Sequence, residues 1–272
     1  MPLRLLIAHS PTERAAAREV EARVFLQAFG NTPEVMEEEY GPYGDRSRFV
    51  VVIDDASGSA LGAARLILPD GTGMVKTLAD VAGEPWRLSV PDSLRAADLA
   101  GRPVWDVASL AVDRRYRSGA AGAEVTLALC HGLFQYSRLC GADGLVTILD
   151  DRVLRLLRAM GVPWAAMAGA TSREYLGSPA STPCICLVDA IGESIRATRP
   201  DLAPAVVEGV FRSIALDPAD LFPGRGGSLP EAAVSRQPAR TAAPRRDTSG
   251  WRPPTHRRPE VAVSSPGTAA GS

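Results

Sequence analysis

Three arginines and a run of small residues lie close together in the middle of the chain. They are Arg114, Arg115 and Arg117, then Ser118, Gly119, Ala120, Ala121 and Gly122. Small residues let a ligand approach the main chain, and the unpaired N–H groups that open a helix attract anions, more so beside arginine. The chemistry this predicts is phosphate binding. Such a turn must be held between two regular elements. Residues 104–112 are mostly apolar and β-compatible, with Pro103 before them, and read as a buried strand. From 119 an apolar helix runs through Ala123, Leu127, Leu129, Leu133, Phe134 and Leu139 and ends at Gly141.

A valine, a charged pair, Tyr116 and Arg117, then small residues opening a helix resemble the pyrophosphate-binding motif of the GNAT acyltransferase superfamily, Gln/Arg-x-x-Gly-x-Gly/Ala. The stretch from Arg117 to Gly122 matches its first and last positions and carries Ala120 where glycine is usual. The flanks extend the resemblance. The run from Arg48 to Asp54, a turn over 55–58 and the run from Leu61 to Pro69 resemble the central hairpin of that fold. Gly62, Arg65, Leu66 and Pro69, followed by Trp105 and Asp106, also resemble the branch of acyl-homoserine-lactone synthases and N-acyl amino acid synthases. The resemblance covers roughly residues 15–190.

The resemblance implies an α+β (mixed α/β) fold, a GNAT-like central twisted mixed sheet flanked by helices, over residues 1–223. It implies an enzyme that holds a thioester, polarises its carbonyl with a strand N–H and deprotonates an amine. The main chain of 109–111 would donate to the carbonyl. Leu110, Ala111 and Val112, with Arg114, Arg115, Arg117 and the small residues Ser118, Gly119, Ala120, Ala121 and Gly122, would hold the donor, either coenzyme A or the phosphopantetheine of an acyl carrier protein. The donor is a cosubstrate; no tightly bound cofactor and no metal is expected.

Asp106 is the candidate base, directly or through a water, and as a strand residue it would equally well bond a neighbouring loop. Ser109 would hold that water or pack within the strand, and Tyr175 would reach the cleft or plug the end of the sheet. Arg65 and Trp105 are the expected substrate-side residues. The superfamily's usual general acid, a tyrosine four residues before Gly161, is Leu157 here. Two arginines of the synthase pattern are Glu21 and Ser109, which weighs against S-adenosylmethionine and leaves another amine, such as an amino acid, as acceptor. Three other readings remain: a non-catalytic acyl-CoA or acyl-carrier sensor, the lactone synthase itself, and an interaction protein recruited through its tail.

Composition bounds these readings. A hydrophobic content of 46% supports a real core, and a net charge of −1 argues against dependence on nucleic acid. The absence of a long apolar run and of a secretory pattern predicts a cytoplasmic protein without a membrane span. Cys130, Cys140, Cys184 and Cys186 read as buried reduced thiols. His9, His131 and His256 are not spaced for nucleophilic serine chemistry.

The positioning elements can be read in order. Residues 3–8 form a strand or a packed tail. Ser10 to Glu13 has the form of a capping box, predicting a helix over 11–29 that buries Val20, Val24, Phe25 and Phe29 and stops at Gly30. A short acidic helix follows Pro33, breaks near Tyr40, and either attracts a cationic acceptor or is simply solvated. Lys76 is the chain's only lysine, and residues 83–103 read as one long connection. A strand over 142–149, a helix over 152–160 capped by Asp150 or Asp151, strands over 163–169 and 183–189, and a helix from Pro200 to about 215 complete the domain. Residues 224–272 read as a disordered tail of net charge +5, against −6 for residues 1–223.

Overall fold

The computed structural model describes residues 3–116 and 119–222, with only the main chain described over 119–122. The expected tail over 224–272 lies outside these residues. The described strands are β1 (Leu3–Ile7), β2 (Ser47–Asp54), β3 (Ala60–Ile67), β4 (Val104–Val112), β5 (Gly144–Asp150), β6 (Ala165–Ala166), β7 (Arg173–Tyr175), β8 (Ser178–Leu187) and β9 (Ile214–Leu216). They join one mixed sheet ordered β6-β8-β5-β4-β3-β2-β1-β9, with β7 paired to β8. Most neighbours are antiparallel; β4–β5 and β1–β9 are parallel.

The middle strands are apolar at nearly every position because both faces are covered. Leu5, Ile7, Val50, Val52 and Leu66 pack with Val125, Leu129 and Leu133 of α5 (Gly119–Leu139). Leu6, Phe49, Val51 and Ala63 alternate with them and pack on Ala17, Val20 and Val24 of α1 (Pro11–Phe29). Helix α1 begins as its sequence predicts: the Ser10 side chain accepts from the Glu13 N–H, and the Glu13 carboxylate accepts from the Ser10 N–H. It ends at Gly30, whose φ of 75° suits glycine. Phe25 and Phe29 depart from expectation, being only half-buried.

Helix α2 (Pro33–Tyr40) leads through a 3₁₀ turn into β2. Residues 83–103 are not one long connection. Helix α3 (Lys76–Ala82) precedes them, and α4 (Val90–Ala96) lies within them, its N-terminus capped by the Ser89 hydroxyl. Each helix has seven residues, under two turns, too short to show a period. Trp86 and Leu99 from this stretch pack on Val75, Leu78 and Val81 in a separate apolar cluster.

Two C-terminal expectations also change. The apolar positions Val188, Ile191 and Ile195 are spaced for a helix, and the chain forms α7 (Val188–Thr198) where the end of a strand was expected. In place of the helix expected from Pro200 to about 215, the chain forms the short α8 (Ala203–Val206). Gly209, at φ 73°, then turns the chain into β9. The expected strand over 163–169 shrinks to the two residues of β6, while Asp150 caps α6 (Asp151–Ala159) as read. Of the cysteines, Cys130, Cys184 and Cys186 are buried thiols and Cys140 is exposed.

Candidate functional site

Two irregularities in β4 make a site. Arg65 of β3 pairs with Ser109, but the next residue, Leu66, pairs with Val107, so Ala108 is an extra residue on β4. A bulge of this kind resets the in–out alternation. Val107 and Leu110, three apart, both belong to the α5 face, while Ala108 and Ser109 both serve the α1 face. On the other edge, β4 pairs with β5 only from Val104↔Gly144 to Asp106↔Val146. Beyond that the two parallel strands part, and the edge of β4 carrying the bulge opens into a cleft. Two side chains bind its carbonyl groups: Thr147 Oγ1 donates to Val107 O at 2.8 Å, and Tyr40 Oη donates to Ala108 O at 3.2 Å.

The cleft encloses about 130 Å³ and reaches both faces of the sheet. That is roughly ten times the space one water requires. On the α5 face its wall is apolar, formed by Leu133, Phe134, Leu157, Trp164, Ile191 and Val206. On the α1 face the wall is polar and aromatic, with Tyr40, Lys76, Thr77, Asp80, Asp106 and Tyr175. Ser109 and Leu110 line the junction of the two halves.

Asp106 is completely buried in this wall. Thr77 holds both its carboxylate oxygens: the amide donates to Oδ2 at 2.6 Å and the hydroxyl to Oδ1 at 2.9 Å. Burial pushes the carboxyl up to about 7, against the opposing pull of the two Thr77 bonds and of nearby Lys76. A carboxylate with that affinity can take a proton near neutral pH.

Beside it lies a network that sequence reading missed. The Lys76 ammonium donates to Asp80 Oδ2 at 2.6 Å and to Tyr175 Oη at 2.9 Å, and pairs with Glu39 Oε2 at 2.7 Å. Tyr175 in turn donates to Asp80 Oδ2 at 2.5 Å. Burial disfavours the Lys76 charge, but Asp80 and Glu39 together outweigh it and hold the ammonium above its usual range. Burial also raises the Tyr175 phenol, reinforced by Asp80. Tyr175 thus reaches the cleft from β7. A lone lysine followed at i+4 by an aspartate was the available signal, though that spacing usually marks a solvated helix face.

Arg65 and Trp105 are placed away from the cavity wall. The Arg65 guanidinium donates to Glu21 through Nε at 3.0 Å and Nη2 at 2.5 Å, and to Ser47 through Nη1 at 3.3 Å. It lies between the rings of Tyr40 and Phe49, 4.7 and 4.6 Å from their centroids. Ser109 donates to the same Glu21 carboxylate. Of the two positions at which the synthase pattern has arginine, Glu21 therefore binds Arg65 here and Ser109 binds Glu21. Trp105 packs in the α5-side core, 5.9 Å from the Tyr136 ring.

The basic turn is divided. Arg115 is held by Asp113 through Nε at 3.2 Å and Nη2 at 3.0 Å, and Arg23 of α1 also pairs with Asp113 at 3.3 Å. Arg114 is exposed. Arg117 and Ser118 lie outside the described residues. Gly119, Ala120, Ala121 and Gly122 form the first turn of α5, and their side-chain surroundings are likewise undescribed. Ala111 and Val112 end β4 just before this turn, on opposite faces. Among the described residues there is no metal-binding cluster of His, Cys, Asp and Glu, and no helix long and apolar enough to cross a membrane.

No protein-family model matches the chain, and no curated protein matches it. Solved structures do. The N-acyl amino acid synthase FeeM from uncultured soil microbes superposes with a TM-score of 0.55 at 14% identity, over 72% of this chain and 95% of that one. The acyl-homoserine-lactone synthase LasI gives 0.46 at 15% identity, over 77% and 96%, a weaker likeness that adds nothing to the assignment. At such identity the first likeness shows a shared fold. The fold is the GNAT-like one that the resemblance of the sequence implied.

Proposed function

We propose that the protein is an N-acyltransferase that moves an acyl group from coenzyme A or an acyl carrier protein to an amine. One observation carries this reading: a single cavity has an apolar half and a polar half that meet at the bulged, unpaired edge of β4. A thioester needs that division. Its acyl chain belongs in the apolar half, its carbonyl at the strand edge, and the incoming amine in the polar half. The amine nitrogen attacks the carbonyl carbon, the C–S bond breaks, and the thiol leaves. Main-chain N–H groups of 109–111 would stabilise the oxyanion. Asp106 would accept the proton of the amine and pass it on to the leaving thiolate, while Thr77 holds the carboxylate in place. In this reading Tyr175 positions Asp80 and Lys76 in the acceptor wall, and Ser109 anchors Glu21.

The acyl donor would enter over the turn 114–122, where arginines and the start of α5 suit its phosphates. The test is thiol release from a panel of acyl-CoA donors in the presence of amines, with product mass read in parallel. Amide formation supports the reading. A second reading, a non-catalytic acyl-CoA sensor, is favoured by Leu157 in the apolar wall at the usual tyrosine position. Tight acyl-CoA binding without thiol release for any acceptor would establish the sensor and remove the enzyme.

A further inference from the structure

We propose that the acceptor is a primary amine on an apolar or aromatic body and without a carboxylate, so not an amino acid. This rests on the acyltransferase reading and concerns the polar half of the same cavity. An ammonium group has three N–H donors. Those of Lys76 are matched by Asp80, Glu39 and Tyr175, leaving none for an incoming carboxylate. The nearby Arg65 is off the cavity wall and engages Glu21 and Ser47 through all three of its nitrogens. An acceptor carboxylate would therefore face Asp80 and Asp106, with no uncommitted cation among the described residues of that wall.

An incoming ammonium meets two carboxyl groups on this wall, Asp80 and Asp106, against the single cation Lys76. Asp80 is on the wall, and the Tyr40 and Tyr175 rings already flank an ammonium, each with its centroid 5.5 Å from Lys76 Nζ. Carboxylates and aromatic faces are the surroundings that favour such a cation. Apolar side chains line this half as well. Phe25 and Phe29, half-buried with ring centroids 5.6 Å apart, line it together with Leu176. Their incomplete burial in the free protein is what a wall contacting an apolar substrate body would show.

Three acceptors that share one ring separate the possibilities: 2-phenylethylamine, L-phenylalaninamide and L-phenylalanine, each assayed with a medium-chain and a long-chain acyl-CoA on the full chain. The amide's amino group is less basic than that of phenylalanine and that of phenylethylamine is more basic. A preference for both over phenylalanine thus reports the carboxylate and not basicity. We expect kcat/KM for both to exceed that for phenylalanine by at least about tenfold, as like-charge rejection requires. Asp80→Asn should narrow the gap, and Phe29→Ala should raise KM for phenylethylamine. Equal or better use of phenylalanine would overturn the acceptor class and leave acyl transfer standing. Absence of thiol release with every acceptor would overturn both.

Discussion

Thr77 holds both oxygens of Asp106, its amide 2.6 Å from Oδ2 and its hydroxyl 2.9 Å from Oδ1. The pair joins the first turn of α3 to the last β4 residue that still pairs with β5. If Asp106 is the base, the rate should rise with pH through an inflection near 7, where its proton is lost. Asp106→Asn should lower kcat by about 10²–10⁴-fold, the usual size of general-base catalysis. Thr77→Val removes a hydrogen bond that favours the ionised form, so its inflection should move to higher pH. A pH–rate profile of the three proteins tests both statements.

The same carboxyl should mark the stability curve. Its folded-state affinity lies above the ordinary 3.8, so between about 4 and 7 the folded chain retains a proton that the unfolded chain releases. Stability from this group is full at the acid end of that window and is lost as pH rises through about 7. Asp150 acts oppositely and lower: Arg152 holds it at about 2, so its contribution is lost as pH falls below 3.8. Urea titrations from pH 5 to 8 should show the first slope in the native chain and a flatter one in Asp106→Asn.

On the other side of Tyr40, Glu21 neutralises Arg65 in a site where neither side chain is more than 6% exposed. Glu21→Ala leaves a buried guanidinium without its counter-charge, and such broken pairs cost about 3–5 kcal/mol. Ser109→Ala removes only one donor to the Glu21 carboxylate and should cost less, about 1.5–3 kcal/mol. Chemical denaturation of the two variants should reproduce that order.

The parts of this site that can be read from the chain are those set by local chemistry. The caps of α1, the strand–turn–helix around β4 and α5, and the hairpin of β2 and β3 all follow from residues close in sequence. Gly62, singled out by the resemblance, owes its place to distant contacts: a Cβ there would stand 3.0 Å from both the Ala111 carbonyl and Leu129 Cδ1, so a side chain would press on α5 and the neighbouring strand. What escapes is set by distant contacts. Lys76 and Tyr175 meet from 99 residues apart, and Arg65 finds Glu21 at a separation of 44. Helices α3 and α4 are too short for a periodic signal, and the parting of β4 from β5 leaves no mark on either strand.

The basic turn makes a graded prediction. Arg115 is already held by Asp113, whereas Arg114 is exposed and has no ion pair among the described residues. Arg114→Ala should therefore weaken coenzyme A binding more than Arg115→Ala, because charge-assisted phosphate bonds are strong when the cation is uncommitted. Arg117→Glu, which reverses a charge of the expected phosphate turn, should abolish binding. Calorimetric titration with coenzyme A measures all three. An equal effect at 115 would mean that Asp113 releases its partner on binding.

The apolar half of the cavity should set acyl length. Phe134 of α5 and Val206 of α8 both line it, under 7% exposed, on the face opposite Asp106. Phe134→Ala removes a ring from this wall and should let longer chains enter; it should also cost about 3–5 kcal/mol of stability, so the assay belongs well below the melting temperature. Val206→Phe fills the same space from the other side and should shift preference toward shorter chains, with about 1–3 kcal/mol lost to overpacking. Each CH₂ moved out of an apolar site forfeits about 0.8 kcal/mol, or roughly fourfold in kcat/KM. Shifts of two carbons in either direction are thus resolvable. Acyl-CoA donors of stepped length, scored by thiol release against one amine, give the profile of each protein. Opposite shifts for the two variants would tie chain length to this half of the cavity, and unchanged profiles in both would place the acyl chain elsewhere.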